Sequence, residues 1–377
     1  MESNSPPAPE YKMPPIHPPP VITPPSRPPR KSRGWKIFAI ILLVLLVLSV
    51  FSNLRHFTSD IVGVKVRGAR NAGPRLEEVI IKDSDAANNK IAVVDVDGII
   101  TGQIIDRGGV SLVDLIKEQL NRADEDRKVK AVLLKVNSPG GEVLASDEIY
   151  RLIARFQSKT DKPVVASMGS LAASGGYYVS APCRWIVANE LTITGSIGVI
   201  MHGYNYRGLM DKIGLRPEVY KSGKFKDMLS GDKKESEITQ EERDMVQALI
   251  DETFQKFKSV VAEGRQLAKG KNKDKGNALS QNWEDYADGR VLSGKEAMKL
   301  GFVDELGDFE TAVERVKKIA GIGRANLIQY QQRFDLGDFF QLFGSTDART
   351  TLKVDVGMDF PKLQAGQLYF ISPTVLH

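Results

Sequence analysis

The sequence predicts an α/β fold with a sheet covered on both faces. Two observations carry this. The segments IAVVDV (91–96), KAVLLKV (130–136) and PVVASM (163–168) are short Val/Ile/Leu runs of the kind that form strands buried on both sides. Between them lie SLVDLIKEQLNRA (111–123) and ASDEIYRLIARF (145–156), whose apolar residues recur at helical spacing. Strand–helix alternation of this kind builds a sheet with helices packed on it.

The alternation begins near Lys90. WIVANELTITGSIGVI (185–200) reads as further strands. A longer helix is expected from Thr239, an N-cap residue with Glu242 three positions on, which is capping-box spacing. Met245, Leu249, Phe254, Phe257 and Val261 form its apolar stripe, expected to pack on the core. The stretch LAKGKNKDKGN (267–277) reads as a solvated charged loop.

The N-terminal region has a different character. Residues 1–34 are crowded with proline and cannot build a packed core, so a disordered, polyproline-like tail is expected. Ile37–Val50 is uncharged, free of Gly and Pro, and rich in Leu, Ile and Val. With Trp35, Lys36 and Phe51 it approaches the roughly 20 residues a bilayer requires. No small-residue cleavage pattern follows it, so residues 35–53 read as an uncleaved signal anchor rather than a removable signal peptide. Arg30, Lys31, Arg33 and Lys36 precede it. The positive-inside rule then leaves the tail in the cytoplasm and the remainder outside, at the inner (cytoplasmic) membrane. The expected organisation is a tail (1–34), an anchor (35–53), a membrane-proximal linker (54–87), a folded α/β domain (88–321) and a C-terminal extension (322–377).

Charge and residue counts exclude several functions. The chain carries +5, of which +4 sits in residues 1–36, leaving the body close to neutral. A nucleic-acid binder concentrates basic charge on its folded part, so nucleic acid is set aside. The one cysteine, Cys183, excludes an internal disulfide and reads as a small buried side chain. Of the four histidines, His17, His56 and His377 lie in the tail, beside the anchor and at the last position. His202 alone lies in the body, so neither a metal site nor a Ser-His-Asp triad is expected. No cofactor is expected either.

Three glycine-rich clusters follow strand ends: Asn137–Gly141, Gly169–Gly176 and Thr194–Gly198. Glycine permits unusual φ and close backbone approach, and a Pro-Gly-Gly loop can aim amides at a developing oxyanion. Each cluster taken alone is equally a tight turn.

Together, VNSPGGEV (136–143), SMGSLAASGGYYVSA (167–181), TGSIGV (194–199), YKSGKFKD (220–227) and ADGRVLSGKEAMKLGFVDELG (287–307) resemble the signal peptide peptidase A family. The likeness covers roughly residues 88–320 and extends in kind to LQAGQLYFISP (363–373). It implies a fold of repeated ββα units shared with the crotonases and the Clp protease, preceded by one transmembrane helix. It implies a serine endopeptidase with Ser174 as nucleophile and Lys226 as general base, Ser196 positioning the lysine, and the amides of Gly141 and Gly175 as oxyanion hole. It also implies cleaved signal peptides as substrates and a homo-octameric ring with active sites built across neighbours.

A lysine base requires explanation, because an unperturbed lysine has a pKa of about 10.4 and is protonated at neutral pH. Burial disfavours the ammonium and lowers that value, after which the amine can take the proton of Ser174. Lys221 and Lys224 compete with Lys226 on sequence alone; the resemblance selects Lys226. Two other classes compete with the peptidase: a crotonase-like acyl-CoA enzyme, and a catalytically silent membrane assembly protein.

Overall fold

The computed structural model describes residues 38, 40–46, 74, 76–84, 88–104, 110–273, 275–332 and 367–371. It divides into two compact units, Met1–Asn71 and Ala72–His377. In the first, residues 40–46 are helical and exposed. The expected tail (1–34) and most of the expected anchor (35–53) lie outside the described residues. Among the described residues, no helix is long and apolar enough to cross a membrane.

The second unit begins with β1 (Leu76–Lys82), β2 (Lys90–Ile100), α1 (Leu112–Glu125), β3 (Val129–Glu142), α2 (Val143–Thr160) and β4 (Val164–Ala172). It continues through α3 (Gly175–Ser180), β5 (Trp185–Ala188), β6 (Ile193–Gly195), β7 (Ile200–Met201), α4 (Arg207–Lys212) and α5 (Gln240–Lys271). It closes with β8 (Val291–Ser293), α6 (Gly294–Lys299), β9 (Glu305–Leu306), α7 (Phe309–Ala320), β10 (Asn326–Gln332) and β11 (Leu368–Ile371).

The sheet runs β1-β10-β2-β3-β4-β5-β9. Every pairing from β10 to β9 is parallel, and β1 closes the edge antiparallel. The continuous apolar runs follow from this arrangement. Alternate residues feed opposite cores: Ala92, Val94, Val96, Val132, Leu134 and Val136 one face, Ile91, Val93, Ala131 and Leu133 the other. Each buried Val, Leu or Ile contributes about 1.5–3 kcal/mol relative to exposure. The sheet extends past 88–321 at both ends, since β1, β10 and β11 belong to it. The pairings of β2 with β3 and β3 with β4 change register at Asp97/Ile99 and Val136/Ser138, and both strands run on into the glycine-rich segments.

α5 departs from expectation in three ways. Thr239 caps it, its hydroxyl accepting from the Glu242 amide at 3.2 Å. The Glu242 carboxylate does not close a capping box but takes the Lys233 ammonium at 2.6 Å, a stronger charged partner than a backbone amide. The helix runs on to Lys271, so residues 267–271 are helical rather than loop. Of the stripe, Phe257 and Val261 are buried but Leu249 is 46% exposed. Met245 and Phe254 are half-buried, so in the N-terminal half of α5 the stripe is only partly covered.

Candidate active site

The three glycine-rich segments converge at the ends of β3, β4 and β6. In the first, the Ser138 hydroxyl accepts from the Gly140 amide at 3.1 Å and holds the turn. Gly140 has φ +101°, a region that side chains rarely enter. A Cβ there would lie 1.9 Å from the Phe370 carbonyl oxygen and 2.6 Å from the Gly175 nitrogen. At Gly141 a Cβ would lie 1.9 Å from the Ile100 oxygen. These glycines are thus required by close backbone approach, not merely tolerated in a turn.

Ser174 stands between β4 and α3 with φ 54° and ψ −117°. A non-glycine residue in so sparsely populated a region costs about 1–3 kcal/mol. The surroundings enforce it: the Ser174 amide donates to the Gly195 carbonyl at 2.8 Å, and its carbonyl accepts from the Tyr178 amide at 2.8 Å. The residue is 1% exposed, and its Oγ has no hydrogen-bond partner among the described residues. Leaving a buried hydroxyl unpaired costs about 1–3 kcal/mol. A strained, buried, unpartnered hydroxyl is the arrangement expected of a group reserved for a reacting partner.

Ser196 also has positive φ, 50°, and its amide donates to the Arg290 carbonyl at 2.7 Å. Thr194 ties β6 to β4 through its hydroxyl, which donates to the Ala172 carbonyl at 2.7 Å. Ser196 lines a cavity of about 280 Å³ together with Val199, Asp251, Phe254, Asp288 and Ile371. Ser174, Ser196, Gly141 and Gly175 are therefore brought together.

Lys226 is not joined to them. It is exposed, and among the described residues it makes no ion pair or side-chain hydrogen bond. Its two sequence rivals are both engaged. The Lys221 ammonium donates to both carboxylate oxygens of Asp227 at 2.8 Å, and Lys224 pairs with Glu241. The Lys221 hydrogen bond holds the Asp227 carboxyl below the usual carboxylate range. Lys233, bound to Glu242, lies 3.7 Å from the same Asp227 carboxylate.

The remaining chemistry-bearing residues read as structural. His202 is exposed. Cys183 is buried, and burial pushes its thiol up.

Sequence reasoning missed three features. The first is a buried ion pair, Arg265 with Asp304, at 1% and 0% side-chain exposure. Asp304 also accepts from the amides of Ile186 at 2.8 Å and Asn277 at 2.9 Å, pinning the 303–307 segment against β5. An arginine beside Gly264 in an apolar helical stretch was the available signal. Gly264 packs so closely that a Cβ would lie 2.4 Å from the Ala181 oxygen. The second is an aromatic cluster of Tyr150, Tyr178, Phe257 and Phe370. The third is β11, a late segment that pairs antiparallel with Gly140–Glu142 of β3 and also with β7.

This α/β architecture with a buried, strained serine beside paired glycine loops defines a class, the Clp-like serine hydrolases. Residues 92–187 match the Clp protease family model, and residues 156–323 match the model of peptidase family S49. The chain is 40% identical over 253 residues to a putative signal peptide peptidase SppA from Enterococcus faecium, covering 66% of this chain and 69% of that one. It is 36% identical over 242 residues to Protease 4 of Haemophilus influenzae, covering 64% of this chain and 36% of the relative. Against the chloroplastic serine protease SPPA of Arabidopsis thaliana it is 32% identical over 237 residues, covering 62% of this chain and 33% of that one. The match thus spans about a third of these two longer relatives. The chain belongs to peptidase family S49, with the signal peptide peptidase A proteins, and is a serine-type peptidase.

Proposed function

We propose that the protein is a membrane-anchored endopeptidase that cuts extended peptides, released signal peptides among them, by a Ser-Lys mechanism. One observation supports this reading above the others. A peptide strand, β11, lies antiparallel along Gly140–Glu142 with Phe370 opposite Gly141. Its Phe370 carbonyl oxygen sits against Gly140 and Gly175, where an oxyanion would be received. An extended segment lying along this strand end supports an extended peptide as the substrate.

In this mechanism Ser174 Oγ attacks the carbonyl carbon while Lys226 takes its proton. The amides of Gly141 and Gly175 stabilise the oxyanion. Lys226 then returns the proton to the leaving amine, and water hydrolyses the acyl-enzyme. Lys221 and Lys224 are committed to carboxylates, which among the described residues leaves Lys226 as the unengaged amine of the three. Ser196, beside the cavity, is suited to orient the incoming amine.

The exposure of Lys226 in one chain has a consequence under this reading. Its desolvation must come from a neighbouring copy, in keeping with a ring, an octamer by resemblance, whose sites are shared. In the chain segment that leads to it, Tyr204, Leu209, Ile213 and Tyr220 are 83%, 62%, 67% and 91% exposed, apolar surface that a neighbouring copy would cover. The anchor at 35–53 would hold the catalytic domain (88–321) at the outer face of the cytoplasmic membrane.

Peptide hydrolysis by the full-length protein tests the mechanism. Ser174→Ala should abolish cleavage and fluorophosphonate labelling. Lys226→Ala should lower kcat/KM by about 10²–10⁴-fold. Lys221→Ala and Lys224→Ala should leave at least a tenth of the activity. Full activity in Lys226→Ala would sink the dyad.

A further inference from the structure

Two buried charges lie behind the turn that carries Lys226. The Lys233 and Glu242 side chains are 10% and 6% exposed and pair at 2.6 Å. Desolvating two charges offsets most of their attraction, so such a pair adds little net stability. What it does supply is an anchor. Glu242 stands in the first turn of α5, and the Lys233 ammonium also lies 3.7 Å from the Asp227 carboxylate. Both oxygens of that carboxylate accept from the Lys221 ammonium at 2.8 Å. Asp227 is thus shared by two ammonium groups, and it directly follows Lys226. The backbone is braced in the same place. The Lys221 ammonium donates to the Lys224 carbonyl and the Lys226 amide to the Gly223 carbonyl, both at 3.2 Å. The Ser230 amide donates to the Asp227 carbonyl at 3.1 Å. Leu229 has φ 68°, a left-handed conformation that a bulky side chain adopts only where its surroundings enforce it. Beyond it, the Tyr206 amide donates to the Gly231 carbonyl at 2.8 Å and the Asn205 side-chain amide to the Lys233 carbonyl at 3.0 Å.

We infer that Asp227 is a positioning residue of the peptidase: held by Lys221 and Lys233, it staples the turn carrying Lys226 to the first turn of α5 and so fixes where the amine is presented. The inference rests on the Ser-Lys reading above. It follows from what else could hold the turn. Lys224 also reaches α5, through Glu241, but that pair is largely exposed and exposed pairs contribute little. Asp227 is 14% exposed and connects to the buried Lys233–Glu242 pair, so the firmer attachment runs through it. Lys226 makes no side-chain hydrogen bond or ion pair among the described residues, so its flexible four-carbon stem is directed by the backbone at its root. A general base must come within hydrogen-bond reach of its proton, and a misplacement of about 1 Å costs about 10²-fold in rate.

The test is steady-state peptide hydrolysis by the full-length protein. Asp227→Asn keeps the size of the side chain and removes the charge that both ammonium groups hold. It should lower kcat about 10–100-fold and leave KM within about twofold, a split that a residue serving only the fold would not produce. Asp227→Glu keeps the charge-assisted contacts and should bring kcat back to within about fivefold of wild type. The double variant Lys221→Ala/Asp227→Asn should be no slower than Asp227→Asn alone, because the two residues act as one brace. Lys221→Ala, which cuts the brace at its more exposed end, gives a reading that does not depend on the folding of Asp227→Asn: kcat should fall about two- to tenfold at constant KM. A kcat within about threefold of wild type in Asp227→Asn, with activity lost in Lys226→Ala, overturns the inference and leaves the dyad standing. Equal losses in Asp227→Asn and Asp227→Glu, losses that multiply in the double variant, or an unchanged kcat in Lys221→Ala overturn it equally. Full activity in Lys226→Ala overturns the dyad and this inference with it.

Discussion

Asp304→Asn offers a sharp test of how the catalytic unit is held together. Asp304 is a buried carboxylate that receives the Arg265 guanidinium and the amides of Ile186 and Asn277. Asparagine keeps the size and loses the charge, leaving Arg265 buried at 1% exposure without its counter-ion. Breaking a buried pair from one side costs about 3–5 kcal/mol, because the surviving charge is stranded. At about 2–4 °C per kcal/mol, the melting temperature should fall by roughly 6–20 °C. Thermal and urea unfolding at pH 7 would measure this. The double variant Arg265→Met/Asp304→Leu removes both charges and should recover much of the loss. A single-variant effect under about 1 kcal/mol, or a double variant worse than the two singles added together, would refute the assignment of Arg265–Asp304 as a desolvated, mutually dependent pair.

Other perturbations follow from the same geometry. Gly140→Ala should eliminate peptide cleavage, since its Cβ would meet backbone at 1.9 and 2.6 Å in a left-handed conformation; activity within tenfold of wild type would contradict the close approach. Asp288 is held at about 2 by the Arg290 hydrogen bond, below its ordinary 3.8. Its stabilising effect is therefore present above about pH 4 and lost as pH falls through about 2. Because both side chains are about half exposed, Asp288→Asn should cost under about 1 kcal/mol at pH 7. Melting curves of variant and wild type should converge between pH 4 and 2; a constant gap would exclude the ion pair as its source.

The legible and the illegible parts of this protein divide along physical lines. Central strands, crossover helices and the glycine loops are dictated locally, by apolar runs, helical spacing and the conformations only glycine permits. The exposure of Leu249 on α5 was not legible, because Leu249 and Phe257 carry the same periodic signal and differ only in what packs on them. Nor was the fate of Glu242, whose capping-box spacing is genuine but whose carboxylate finds Lys233 nearer in space.

At the site itself, composition and local pattern set which residue types were available: many glycines, too few histidines for a triad, and serines within glycine-rich segments. Tertiary structure alone decided that Ser174 is the strained and unpartnered serine, since its conformation is held by the carbonyl of Gly195, far along the chain. It alone engaged Lys221 and Lys224 with carboxylates and, among the described residues, left Lys226 without one. It alone laid residues 368–371 along β3, because a four-residue strand has no signal of its own until the Gly140–Glu142 edge supplies its hydrogen bonds.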